Sequence, residues 1–154
     1  MDYKKIKKYW QQYRLFVGLF FLLLLVISLA LIFYSQPRFR VQANDCIFLV
    51  DRASSPKQQY QGLSGKKALA TNQGMLFIFE EAADRSFVMR KMNFPLDIIF
   101  IKDHRVINLY HNLAPEGETP RQSYNSGNPA DAVLEINAGR ARACRLGVGS
   151  EISW

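Results

Sequence analysis

From Leu15 to Tyr34 the chain is apolar and uncharged, LFVGLFFLLLLVISLALIFY. At about 1.5 Å per residue such a helix reaches roughly 30 Å, the thickness of a bilayer's hydrocarbon core. The run therefore predicts a membrane-spanning helix over residues 15–34. Beyond it the pattern changes to short apolar runs divided by turn residues. Cys46-Ile47-Phe48-Leu49-Val50 predicts a first strand, and Ser54-Ser55-Pro56 supplies an N-cap and an N1 proline for a short helix ending at Gly62 or Gly65. Thr71-Asn72-Gln73-Gly74 marks a turn before a strand at Met75–Phe79, and Ser86–Arg90 predicts another.

Residues Asp97–Ile101 and Arg105–Tyr110 flank Lys102-Asp103-His104 as a hairpin. A polar loop with Pro115, Gly117 and Pro120 follows, then the turn Gly127-Asn128-Pro129 and a strand at Ala132–Ile136. Ala138–Arg145 reads as a turn or short helix, and Glu151–Trp154 as a last strand. Several strands are apolar throughout, which predicts central strands covered on both faces. The expected fold class is mainly β: a compact sandwich or barrel with one or two short helices, after a single transmembrane helix.

The pattern divides the chain into a basic tail (1–14), the transmembrane helix (15–34), a polar tether (35–44) and a β domain (45–154). Lys4, Lys5, Lys7, Lys8 and Arg14 precede the apolar run, with Asp2 as the only acid. The cation load places the N-terminus in the cytoplasm and the C-terminal domain outside it. Trp10, Tyr13 and Tyr34 suit the two interfaces, and the lipid bilayer is the partner of residues 15–34. A cleaved signal peptide is the rival, but its apolar core would be shorter, about 7–15 residues. The nearest small-x-small site, Ser28-Leu29-Ala30, lies inside the run, so an uncleaved signal anchor in a cell membrane is expected.

This division changes the meaning of the net charge of +7, of which the tail carries four. The excess of cations reads as topology and attraction to anionic lipid, and nucleic acid is not an expected partner: no basic helix or recognised motif is present. Cys46 and Cys144 lie on the exported side, where a disulfide can persist; the alternative is two buried thiols. With no paired histidines nearby they do not make a zinc site, and neither a metal nor a cofactor is expected.

The run QGLSGKKALATNQGMLFIFEEAADRSFVMRKMNFPLDIIFIKDHRVI, with the later YNSGNPADAVLEINAGRA, resembles the domain-of-unknown-function 192 (DUF192) family. The shared pattern is a GLM-like turn, GMLF-F, a WMK-like strand running into IPLDI-F, a DG-type hairpin, and a tyrosine, LE and AG segment. The resemblance covers nearly all of 46–151. It implies a jelly-roll-like β domain, often exported or lipid-anchored in prokaryotes, and implies no activity. Departures are Val88 at an aromatic position, Lys91-Met92 for Asn-Thr, Ser64-Gly65-Lys66 for Met-x-Arg, and Ser150 for an acid.

Chemistry concentrates in few residues. Strand alternation puts Asp97 on one face with Ile99 and Ile101, where a lone buried carboxylate is costly. It must accept backbone N–H bonds, pair with Arg90 or Lys91, or meet a ligand. Glu135, between Leu134 and Ile136, poses the same problem. His111 follows Tyr110 at a strand end, and Tyr124 stands in the segment similar to the family's tyrosine. No Gly-x-Ser-x-Gly elbow or phosphate loop is present.

The leading expectation is therefore a membrane-anchored extracytoplasmic domain of unknown activity. It would bind an unknown ligand or protein of the prokaryotic envelope, with Asp97, Arg90, Lys91, Glu135, His111 and Tyr124 as candidate contacts. One alternative is a hydrolase-type enzyme using Asp97 and Glu135 as acid and base, which requires both in one cleft. Another is an accessory subunit of a membrane complex, marked by a large exposed apolar patch.

Overall fold

The computed structural model describes residues 3–34 and 38–154, with side chains in the first stretch at Trp10 and 13–29. The chain divides into two units, residues 1–37 and 38–154. The first is one helix, α1 (Tyr3–Tyr34). Among the described residues no helix is long and apolar enough to cross a membrane. This corrects the expectation of a transmembrane helix, and the signal anchor, bilayer partner and extracytoplasmic placement built on it lose their support. The tail lysines, Tyr34 and Pro37 lie outside the residues whose side chains are described.

The second unit is mainly β. In chain order it comprises β1 (Phe39–Ala43), β2 (Cys46–Ala53), α2 (Pro56–Gln61), β3 (Gln73–Ala83) and β4 (Ser86–Phe87). These are followed by β5 (Leu96–Lys102), β6 (Arg105–Leu113), β7 (Tyr124–Asn125), β8 (Ala130–Asn137), α3 (Arg140–Ala143) and β9 (Ile152–Ser153). One seven-stranded sheet has the order β6-β5-β8-β3-β2-β1-β9, and β4 pairs with β7 in a separate ribbon. Only β2 and β3 run parallel among the named pairs, because α2 carries the chain back to start β3 alongside β2. The mainly β expectation holds, with the seven-stranded mixed sheet forming a half-barrel rather than the two stacked sheets of a jelly roll. Part of the expected tether is strand β1, which turns Val41 and Ala43 inward against β2.

The sheet curls until its edges meet. Arg105 at the start of β6 bridges Glu151, and the Val106 N–H donates to Ser150 O at 3.0 Å. Val106 from one edge and Ile152 from the other share a core with Phe48, Val50, Leu76, Ile99 and Leu134, so this face is the inside of the curl. The opposite face buries Met75, Phe77, Ile98, Phe100 and Val133 beneath α2, the ribbon and the connecting loops. Burial on both sides explains why β5 and β8 are apolar almost throughout.

Local signals determine α2. Its N-cap Ser55 accepts the Gln58 N–H, while the Gln58 side chain accepts the Ser55 N–H at 3.1 Å, a reciprocal capping box with Pro56 behind it. Gly62 ends it at φ 50°, a conformation that costs glycine little.

Cys46 at the start of β2 and Cys144 after α3 are joined by a disulfide, with Cα atoms 5.8 Å apart and the two cysteines 98 positions apart in sequence. The Asn44 side chain fastens the same junction, donating to the carbonyls of Cys144 (3.1 Å) and Arg145 (3.0 Å). Cross-linking so long a loop restricts the unfolded chain more than the folded one. Replacing both cysteines by alanine is expected to cost about 2–4 kcal/mol. Urea unfolding of the double variant, compared with the parent protein with and without reductant, measures it. Equal midpoints would show that the bridge adds nothing.

Candidate functional site

The register of β5 on β8 pairs Asp97 with Ile136 and Ile98 with Glu135. Directly paired residues project to the same face. Asp97 therefore shares the inner face with Ile136, and Glu135 the outer face with Ile98. The two carboxylates sit on opposite sides of the sheet. An acid–base pair made from them is excluded.

Asp97 is wholly buried and holds the backbone. Its Oδ1 accepts the N–H groups of Asn112 (2.9 Å) and Gly139 (3.1 Å), and its Oδ2 accepts that of Ala141 (2.8 Å). One carboxylate thus ties β6, the β8–α3 turn and α3 to β5. His111 Nδ1 lies 3.9 Å from Asp97 Oδ1. The expected partners lie elsewhere: Lys91 pairs with Glu118 at 3.1 Å, and Arg90 stacks 4.1 Å over the Tyr60 ring. Tyr124 is buried in the outer core, its hydroxyl 3.0 Å from Gln122 Oε1.

Glu135 has a different setting. It is 5 % exposed, and its carboxylate makes no hydrogen bond or ion pair among the described residues. It lines a pocket of about 420 Å³ on the outer face. Phe77 and Phe79 of β3 stand beside it, since alternate residues of a strand share a face. One wall is the end of α2 with Leu63 and Ser64; the other is the segment 84–88, with Arg90 and Met92 beyond it. Phe77 and Phe87 meet edge to face at 4.9 Å, a preferred aromatic geometry that stiffens this floor. Gly74 permits the tight β3–β8 contact next to Glu135: a Cβ there would fall 2.5 Å from the Glu135 carbonyl oxygen.

Burial disfavours the charged form of a carboxyl, and it pushes Glu135 up to about 8. The cations near the mouth are already engaged. Arg85 lies 3.7 Å over the Phe79 ring and donates to Glu81 O at 2.5 Å, while Arg90 donates to Tyr60 O at 2.9 Å. Of the six candidates read from sequence, the structure brings Glu135 and Arg90 to this pocket and places Asp97, His111, Lys91 and Tyr124 elsewhere. Tyr60, Phe79, Asp84 and Arg85 were not among them. The Phe77-x-Phe79 alternation was the available signal for one; the others arrive on loops. Among the described residues no cluster of His, Cys, Asp and Glu could hold a metal ion.

A mainly β domain with one curled mixed sheet and an open pocket above a buried, unpaired acid is the class of protein that fold and site define. The chain belongs to the DUF192 family, described as an uncharacterized ACR, whose model matches residues 39–154. It is similar to a protein of unknown function from Novosphingobium aromaticivorans, at 32 % identity over 76 % of this chain and 85 % of that one, TM-score 0.70. It is also similar to a chain from Sinorhizobium meliloti described as a proposed transcription regulator, at 28 % identity over 74 % and 91 %, TM-score 0.68. No curated protein matches the chain.

Proposed function

We propose that the β domain is a binding module for a small molecule that enters the pocket over Glu135. The observation that carries this reading is a nearly buried carboxyl with no partner among the described residues, reached from solvent through an aromatic-lined opening. Leaving a buried polar group unmade costs about 1–3 kcal/mol, so a fold that retains one there gains most from a ligand that satisfies it. A pocket of this size, lined about equally by polar and apolar surface, falls within the volume range of ligand sites, about 300–1,000 Å³. Two further features suit binding better than acid–base chemistry: Asp97 is spent on backbone bonds, and the arginines at the mouth are held by rings and carbonyls.

The test is a small-molecule thermal-shift screen on the full chain and on Val88→Trp, which fills the mouth from an exposed position. A ligand at about 100 times its Kd stabilises by about 2.7 kcal/mol, a shift of several degrees in Tm. The expected result is a set of chemically related compounds that shift the parent protein and not Val88→Trp. An empty screen, or equal shifts in both proteins, overturns the proposal.

A further inference from the structure

Of the charged groups lining the pocket, the two arginines are engaged, one acid is exposed to solvent, and one acid is buried without a partner among the described residues. Arg85 and Arg90 lie on the ring faces of Phe79 and Tyr60, with their N–H groups on backbone carbonyls. Asp84 stands on the exposed wall. Glu135 alone is both deep and unpaired among the described residues, none of whose cations pairs with it. The charge pattern is therefore graded: cations and an acid at the mouth, a solitary carboxyl at the floor, and apolar surface from Leu63, Phe77, Phe87 and Met92 between them.

Resting on the reading of this pocket as a ligand site, we infer that its ligand is a small organic amine whose ammonium group meets the Glu135 carboxylate. A buried carboxylate tolerates ionisation when a cation pairs with it or when N–H donors surround it as they do Asp97, and Glu135 has neither among the described residues. The missing cation comes from the ligand, because the described residues supply none. A neutral hydroxyl would gain an ordinary hydrogen bond, whereas an ammonium gains one roughly twice as strong. The ring-lined walls suit the same ligand, since aromatic faces attract cations and bury an apolar stem. The two guanidinium groups at the mouth disfavour a second positive charge, so the outer end of the ligand is neutral or anionic.

The exchange balances without any other reactant. In the free protein the carboxyl holds its proton; on binding, that proton leaves to solvent as the ligand's ammonium takes its place. Amine binding at pH 7 should therefore release close to one proton, and the release should fall away toward pH 9, where the free carboxyl is already ionised.

Isothermal titration of the full chain with 2-phenylethylamine and 2-phenylethanol, in two buffers of different ionisation enthalpy, tests this. The amine should bind at least about tenfold more tightly than the alcohol, a difference of about 1.4 kcal/mol. Glu135→Gln, with its fold checked by circular dichroism, should lose that preference and the proton release together. Equal binding of amine and alcohol, absence of proton release at pH 7, or a preference that survives Glu135→Gln overturns the inference. If neither probe binds while another chemical class emerges from the thermal-shift screen, the amine assignment falls and the pocket reading stands. If neither binds and the screen is empty, both fall.

Discussion

Replacing Asp97 by alanine is expected to destabilise the β domain by roughly 3–5 kcal/mol, enough to threaten folding of a domain this size. The carboxylate accepts three backbone N–H groups from three separate segments, those of Asn112, Gly139 and Ala141. Removing it leaves all three without that acceptor, and each bond left unmade costs about 1–3 kcal/mol, most at the buried Ala141 N–H, where water cannot replace the carboxylate. Part of that loss is offset, because a buried charge is itself expensive and disappears with the side chain. Asp97→Asn separates the two effects. Its single oxygen can still serve Asn112 and Gly139, but its amide would face the Ala141 N–H, donor against donor. Its cost should fall between zero and that of alanine. Urea unfolding midpoints measure both variants, and hydrogen exchange at Ala141 and Asn112 reports whether those two bonds were lost. A change below about 1 kcal/mol for alanine would show that Asp97 does not hold the junction.

Much of this architecture was legible where the controlling physics is local. The Ser55-Pro56 start of α2, the turn at Lys102-Asp103-His104 and the apolar run of β8 each rest on a few neighbouring residues. Strand β1 was read as tether because only Val41 and Ala43 point inward, and two inward residues amid arginines make a weak alternation. The meeting of Arg105 with Glu151 depends on the curvature of the whole sheet, which no short window records. The candidate site shows the same division. Strand alternation assigns Asp97 a face relative to Ile99, and Glu135 a face relative to Val133. Which of those faces coincide is decided by the register of β5 on β8, and a slip of one residue would have put both carboxylates together. Sequence named the two acids; long-range pairing separated the one that organises backbone from the one that opens to a pocket.

The stability of the protein should decline as pH rises from about 5 to 9, and Glu135→Gln should remove most of that decline. In the unfolded chain the Glu135 carboxyl titrates near 4.5, and burial raises it to about 8 in the folded protein. Between those values the folded state holds a proton that the unfolded state has released. Folding is therefore most favourable below the unfolded value, weakens across the window, and levels off above the folded one. The full difference corresponds to on the order of 5 kcal/mol. Glutamine keeps the shape of the protonated side chain and never ionises, so at pH 5 the two proteins should match closely. At pH 9 the Glu135→Gln protein should be the more stable by several kcal/mol. Urea midpoints at pH 5, 7 and 9 provide the comparison, and taking the difference between the two proteins cancels what they have in common. Parallel pH profiles would mean that Glu135 is ionised and compensated in the folded state, and the unpaired acid beneath the pocket would no longer be available to recruit a ligand's cation.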